Sequence, residues 1–252
     1  MPVLGLIFLR HAFNRFQAVL PEVESGLNAR LSGDVREELI RMGFQGKAAI
    51  YLPTDARWDY LAGLPEGSKV GEALRHAMNL IEDSVEDVLA GALPKEYLGF
   101  EPALLAELVK IFNRPSLAKA SGDVFGRIYE YFLNQFAQTG AQEGGEFFTP
   151  PSLVRMIVNI IEPDHGVVYD AACGSAGMFV QTGYFIEKTV HVSANERVSF
   201  WGQEKSDTNT KLARMNLAVH GLEGRIIQGN TFEVDHAPWA AATLSWPIHP
   251  SM

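Results

Sequence analysis

From Gly166 onward the sequence alternates short apolar runs with longer amphipathic ones, and that order leaves few folds open. Gly166 to Tyr169 reads as a buried strand, Asp170 to Gly177 as a loop of small residues, and a helix follows from Met178. A second strand at Val198 to Gly202 leads to a helix from Ser206 to His220, which Gly221 stops, and Gly224 to Gln228 reads as a third strand. Strands joined through helices in this order belong to a parallel, doubly wound sheet. Just upstream, Thr149 is placed to cap a helix with Pro150 or Pro151 in its first turn, carrying Leu153, Val154, Ile157, Val158 and Ile161.

The first 115 residues have a different texture, helices separated by Gly- and Pro-bearing connectors. Leu74, Ala77, Met78, Ile81, Val85, Val88 and Leu89 form one stripe at helical spacing within Gly71 to Leu93. Leu104, Leu105, Leu108, Val109 and Phe112 form another, and Val124, Phe125, Ile128, Phe132, Leu133 and Phe136 a third. Their aromatic residues read as core. The periodic pattern breaks into a polar, Gly-rich loop at Thr139 to Gly145. The expected organisation is a helical domain over 1–115 followed by an α/β domain over 116–252.

With 47% hydrophobic and 20% charged residues, a disordered chain is excluded. Thirty acidic against 21 basic side chains give a net charge of -9, which argues against a nonspecific grip on DNA phosphates by the whole surface. The single cysteine, Cys173, excludes a disulfide framework and a multi-cysteine zinc site and suits the cytoplasm. No metal is expected. The apolar run Met1 to Leu9 precedes its basic residues, the reverse of a secretory signal, and is too short to span a bilayer. Its abrupt entry into a helix fits a start further upstream.

The chemistry is expected where the strands end. Small residues in Asp170-Ala171-Ala172-Cys173-Gly174-Ser175-Ala176-Gly177 allow a ligand close to the backbone, at the N-terminus of the following helix. A Gly-x-Gly-x-x-Gly fingerprint is absent, which disfavours a nicotinamide cofactor. Glu204, closing the second strand, is placed to accept hydrogen bonds from ribose hydroxyls; taken alone, it reads better as a solvated acid before a helix capped by Ser206, and it is the pairing with the glycine loop that points to a nucleoside-bearing cofactor. Cys173 reads as a small buried spacer, with no His near it in sequence.

Gly144 to Pro150, Asp170 to Phe179, Gly202-Gln203-Glu204 and Gln228-Gly229-Asn230-Thr231 resemble, in order, the motifs of the methylation subunit of type I restriction-modification enzymes. Ser121 to Phe132 resembles that family's lead-in, and Val3 to Arg10 the start of its helical N-terminal domain, so the resemblance covers nearly the whole chain. It implies a helical domain followed by the first half of a doubly wound, Rossmann-like S-adenosylmethionine-dependent methyltransferase, which transfers a methyl group to adenine N6 in DNA alongside specificity and restriction subunits, with no membrane involved. It places Glu146, Phe147, Phe148, Thr149, Pro150 and Pro151 against the cofactor, together with Asp170 and Gly174. Ser175, Ala176 and Gly177 would surround its methionine end, Glu204 would hold the ribose, and Asn230 would lie near its adenine. The family often has Pro where Ala171 stands and Gly where Ala176 stands.

The family's catalytic motif, Asn or Asp followed by Pro-Pro and an aromatic at the end of strand four, is not found, and the only Pro-Pro pair is Pro150-Pro151. No catalytic residue is therefore assigned. The expectation is that half of the sheet is missing, that the strand Val167-Val168-Tyr169 is left as an aggregation-prone edge, and that cofactor binding is weakened. Thr243 to Met252, with two prolines and a tryptophan, reads poorly as a strand, and the tail from about His236 is expected out of family register. Regrouped from the third base of each codon, this stretch is compatible with Phe-Ile-Val-Ala-Asn-Pro-Pro-Phe-Asn, of which only the alanine is compulsory. A frameshift between the codons of Asp235 and Thr243 is the expectation that follows. Alternatives are a noncatalytic protein that only associates with restriction-modification subunits, and a methyltransferase for another substrate.

Overall fold

A computed structural model describes residues 1–27, 33–44, 47, 49–114, 122–144, 149–234, 236 and 242–245, with 86–87, 122–125, 140–144 and 242–245 described by their backbone. The chain divides into two compact units, Met1–Tyr131 and Phe132–Met252. The boundary expected between 115 and 116 falls outside the described residues.

The first unit is helical: α1 (Pro2–Ser25), α2 (Gly33–Gly43), α3 (Trp58–Ala62), α4 (Val70–Ser84), α5 (Glu86–Leu89) and α6 (Pro102–Phe112). Between Leu4 and Phe13 every side chain of α1 is buried, as expected of a helix surrounded by others. Buried with it, Arg10 sets its guanidinium 5.6 Å from the Phe13 ring centroid and 5.5 Å from that of Trp58. The expected stripe over Gly71 to Leu93 is divided. Leu74, Ala77, Met78 and Ile81 are buried along α4, but Val85 leaves helical geometry (φ -139°, ψ 50°) and α5 restarts beyond it. Near the break, Ser84 Oγ donates to the Ile81 carbonyl, and buried Glu82 accepts from the Leu93 N–H and Lys95 Nζ, both at 2.7 Å, which secures the chain after the turn.

A long helix, α7 (Gly122–Gly144), runs through the stretch where a loop at Thr139 to Gly145 was expected. Thr139 Oγ1 donates to the Gln135 carbonyl at 2.9 Å, the i−4 bond by which threonine is accommodated inside a helix, and Ala141, Gln142 and Glu143 are good helix formers. Along α7, Tyr129, Leu133 and Ala137, spaced by four, are buried.

The second unit carries a parallel sheet in the order β3-β2-β1-β4, with β1 (Gly166–Asp170), β2 (Val198–Glu204), β3 (Gly224–Gln228) and β4 (Ala242–Ser245). Helices α8 (Pro151–Ile161), α9 (Gly177–Thr189) and α10 (Asp207–Val219) supply the rest of its framework. Pro150, not Thr149, is the N-cap of α8, and no side chain caps that end. The core joins Val154 and Val158 of α8, Phe179, Val180 and Ile186 of α9, Ala213 and Leu217 of α10, and Val168, Val198, Phe200 and Ile226 from the strands. Each such side chain contributes about 1.5–3 kcal/mol on burial. Gly224 lets β3 lie against β2, since a Cβ there would meet Phe200 Cβ at 2.9 Å.

The expectation that β1 is an exposed edge is corrected: it pairs with β2 on one side and with β4 on the other, through Val167↔Ala242, Val168↔Leu244 and Tyr169↔Ser245, with a register shift between Val167 and Val168. Ala-Thr-Leu-Ser contains no proline, and Pro247 and Pro250 follow the paired residues instead of interrupting them. The rest of the expected out-of-register tail, at 237–241 and 246–252, lies outside the described residues.

Candidate functional site

Because β1, β2 and β3 are parallel and in register, with Asp170 opposite Gly202 and Glu204 opposite Gln228, their C-terminal ends form one edge. Ligands of open α/β sheets bind at that edge. Three segments meet there: the loop after β1, the Glu204–Ser206 turn after β2, and the Gly229–His236 segment after β3.

The first loop is held at nearly every residue. Asp170 Oδ1 accepts from the Ala172 N–H at 3.0 Å, the Cys173 N–H donates to the Gln203 carbonyl at 3.0 Å, and the Ala176 N–H donates to the Cys173 carbonyl at 2.8 Å. Asn216 Nδ2, from α10, donates to the Ser175 carbonyl at 2.8 Å. Gly174 (φ 54°) and Ala176 (φ 64°) are both left-handed, and Ala176 is the N-cap of α9. Holding a non-glycine residue there costs about 1–2 kcal/mol, which the surrounding bonds offset. A Cβ at Gly174 or Gly177 would meet nothing within 4 Å, so the loop offers open backbone to a ligand. At the start of α9, N–H groups and the positive end of the helix dipole favour an anionic or polar group.

Glu204 is buried, and its carboxylate joins two segments: Oε2 accepts from the Gly174 N–H at 2.9 Å and Oε1 from the Ser206 N–H at 2.7 Å. A carboxylate has four acceptor positions, so this clamp is compatible with hydroxyl donors as well. Burial pushes the Asp170 carboxyl up to about 6, opposed by its Ala172 hydrogen bond and reinforced by the Glu204 charge. Burial, then the charges of Asp170 and Glu204, push the Cys173 thiol up, which keeps it a thiol and disfavours a nucleophilic role.

After β3, the Gly229 N–H donates to the Glu204 carbonyl at 2.9 Å, and Thr231 Oγ1 donates to the Ala171 carbonyl at 2.6 Å, which brings this segment against the first loop. Asn230 makes the turn itself: its Oδ1 accepts from the Phe232 N–H at 3.1 Å and its Nδ2 donates to Glu233 at 2.9 Å. The turn leaves the Phe232 ring 76% exposed.

The structure thus brings together Asp170, Gly174, Ser175, Ala176, Gly177, Glu204 and Asn230. Thr149, Pro150 and Pro151 are exposed at the start of α8, while Glu146, Phe147 and Phe148 lie outside the described residues. Sequence reasoning gave no role to Gln203, Asn216 or Thr231, which tie the segments together. The signal for Asn216 was a polar residue between two apolar ones, Met215 and Leu217; Gln203, between Gly202 and Glu204, carried none. Among the described residues, no group of His, Cys, Asp and Glu suits a metal ion, and no helix is long and apolar enough to cross a membrane.

The HsdM N-terminal domain model matches residues 1–112 and the N-6 DNA Methylase model residues 120–244. The chain belongs to the family of type I restriction methylase subunits. It is 34% identical over 245 residues to the MjaIX methylase subunit of Methanocaldococcus jannaschii, covering 92% of this chain and 44% of that protein. To the HindI methylase subunit of Haemophilus influenzae it is 37% identical over 195 residues, 68% of this chain and 43% of that one. The crystal structure of a type I restriction-modification methyltransferase subunit from Streptococcus thermophilus superposes with a TM-score of 0.71 at 20% identity, over 93% of this chain and 54% of that one, and shares its fold. The family member described here therefore spans less than half the length of these curated relatives.

Proposed function

We propose that this chain holds the S-adenosylmethionine site of a type I methylation subunit, at the C-terminal edge of β1, β2 and β3. The observation that carries the reading is the joint arrangement of an open, left-handed glycine loop at a helix N-terminus and a buried carboxylate one strand away, the pairing that nucleoside-bearing cofactors use. Ser175, Ala176 and Gly177 would take the methionine end, Glu204 the ribose hydroxyls, and the Asn230 turn the adenine. Glu146 to Pro151 would lie against it. When bound, the cofactor supplies a methyl group on sulfur, open to attack by an amine lone pair.

In the complete subunit the acceptor would be adenine N6 in DNA, flipped from the duplex so that its amine reaches the methyl carbon. The Asn-Pro-Pro-aromatic run that would hold that amine is not found in these 252 residues, so transfer by this chain alone is not part of the proposal. Specificity and restriction subunits would bring the DNA, a division of labour that the net charge of -9 supports, and the setting would be cytoplasmic. Calorimetric titration with S-adenosylmethionine tests the pocket. Binding by the wild type that Glu204→Ala largely abolishes, in a variant shown to stay folded, is the expected result; undiminished binding in that variant removes Glu204 from the site.

A further inference from the structure

Gln203 precedes the ribose-side glutamate and is fully buried at the end of β2. Its side-chain amide is engaged at both ends. Oε1 accepts from the His236 N–H at 3.1 Å and from the Tyr169 hydroxyl at 3.3 Å, while Nε2 donates to the Val234 carbonyl at 2.7 Å. Bonding a carbonyl and an N–H two residues apart is what one residue of a parallel ladder does to the next strand. The amide therefore stands in for strand backbone at the point where β2 has ended and the segment after β3 has left the sheet. Gly229 keeps the approach close: a Cβ there would lie 3.3 Å from Nε2. The backbone fixes which end of the amide faces which group, because the His236 N–H can only donate and the Val234 carbonyl can only accept; the Tyr169 hydroxyl adds a second bond to Oε1.

We propose that Gln203 is a positioning residue for the cofactor pocket, acting through the turn that carries Asn230 and Phe232. The turn has few anchors of its own: Asn230, Phe232 and Glu233 bond chiefly to one another, and Phe232 and Val234 are exposed. It is tied to the sheet and the first loop at its start by Gly229 and Thr231; at its far end the Val234 N–H bonds back within the turn to the Asn230 carbonyl at 3.0 Å, and among the bonds described Gln203 ties that end to the sheet. Without the amide, the far end is released, and Asn230 and Phe232 lose their fixed place beside the β1 loop. This rests on the cofactor reading above, and the two are separable by experiment.

Amide hydrogen exchange on the unliganded protein tests the clamp, and S-adenosylmethionine calorimetry its consequence. In Gln203→Met, the His236 amide should exchange about tenfold faster, as expected for losing about two backbone bonds, with cofactor affinity falling by a similar factor. Tyr169→Phe, a milder change that removes only the hydroxyl bonded to Oε1, should shift both in the same direction. In an Asn230→Ala background, Gln203→Met should lower affinity by a smaller factor than in the wild type, since only the placing of Phe232 is left to lose, whereas a general loss of stability would lower it by the same factor. A His236 amide that exchanges at the unprotected rate in the wild type, or equally fast in wild type and both variants, overturns the clamp; unchanged affinity in Gln203→Met despite faster exchange overturns its role in the pocket. Absence of any cofactor binding by a wild type whose His236 amide is protected overturns the cofactor reading, and with it the role of the clamp in the pocket, while leaving the clamp itself in place.

Discussion

Two carboxylates end adjacent strands at the site, each buried and each bonded to backbone N–H groups. Glu204 takes two, from Gly174 and Ser206, and Asp170 takes that of Ala172; burial pushes the Asp170 carboxyl up to about 6. A raised carboxyl pKa means the folded state holds the proton more tightly than the unfolded one. Stability from this group is therefore greatest below its unfolded value, near 4, falls as pH rises toward about 6, and stays lower above. Asp170→Asn should remove that slope and raise stability at neutral pH by about 2 kcal/mol, read as urea midpoints on either side of the window. Equal slopes in variant and wild type would place the titration elsewhere. That Glu204 is an acceptor at a strand end was legible in the sequence, since strand and helix periods fix where β2 stops. Its partner Gly174 was not, because no local pattern tells which loop N–H a carboxylate will reach across the sheet. Gln203 was hidden for the same reason: its partners lie on β1 and after β3.

At the level of elements, periodicity located the strands and helices of the second unit to within a residue or two at most ends, and glycines marked where they stop. It failed where tertiary contacts override local preference. Thr139 and Gly140 read as a loop but continue α7, and the stripe from Gly71 reads as one helix but is broken at Val85. Pairing of β4 with β1 was missed because a four-residue strand on a buried neighbour needs backbone complementarity more than a pattern of its own. Two measurements follow. The β1 amides should be among the slowest to exchange in the second unit, as befits a strand paired on both sides, and rapid exchange there would return β1 to the edge. Gly224→Ala should destabilise this unit by about 1–3 kcal/mol, because the new Cβ meets Phe200 Cβ and backbone, which cannot swing aside. A denaturation midpoint equal to that of the wild type would show that β3 has room to shift.

For the whole molecule, a helical unit and an α/β unit of the N-6 DNA methylase kind lie in one chain with a net charge of -9. Such a surface has no general attraction for phosphates, so the purified chain should show weak DNA association that fades as salt is raised, measured by fluorescence anisotropy on a duplex; tight, salt-resistant binding would contradict the proposed division of labour with a specificity subunit. If the C-terminal edge of the parallel sheet holds S-adenosylmethionine, as proposed, amide exchange with and without the cofactor will outline the site. Slowed amides confined to residues 170–177, the Glu204–Ser206 turn and 229–234, with the helical unit unchanged, are the predicted footprint. No change on adding the cofactor, or protection that falls in the helices of the first unit, would contradict it.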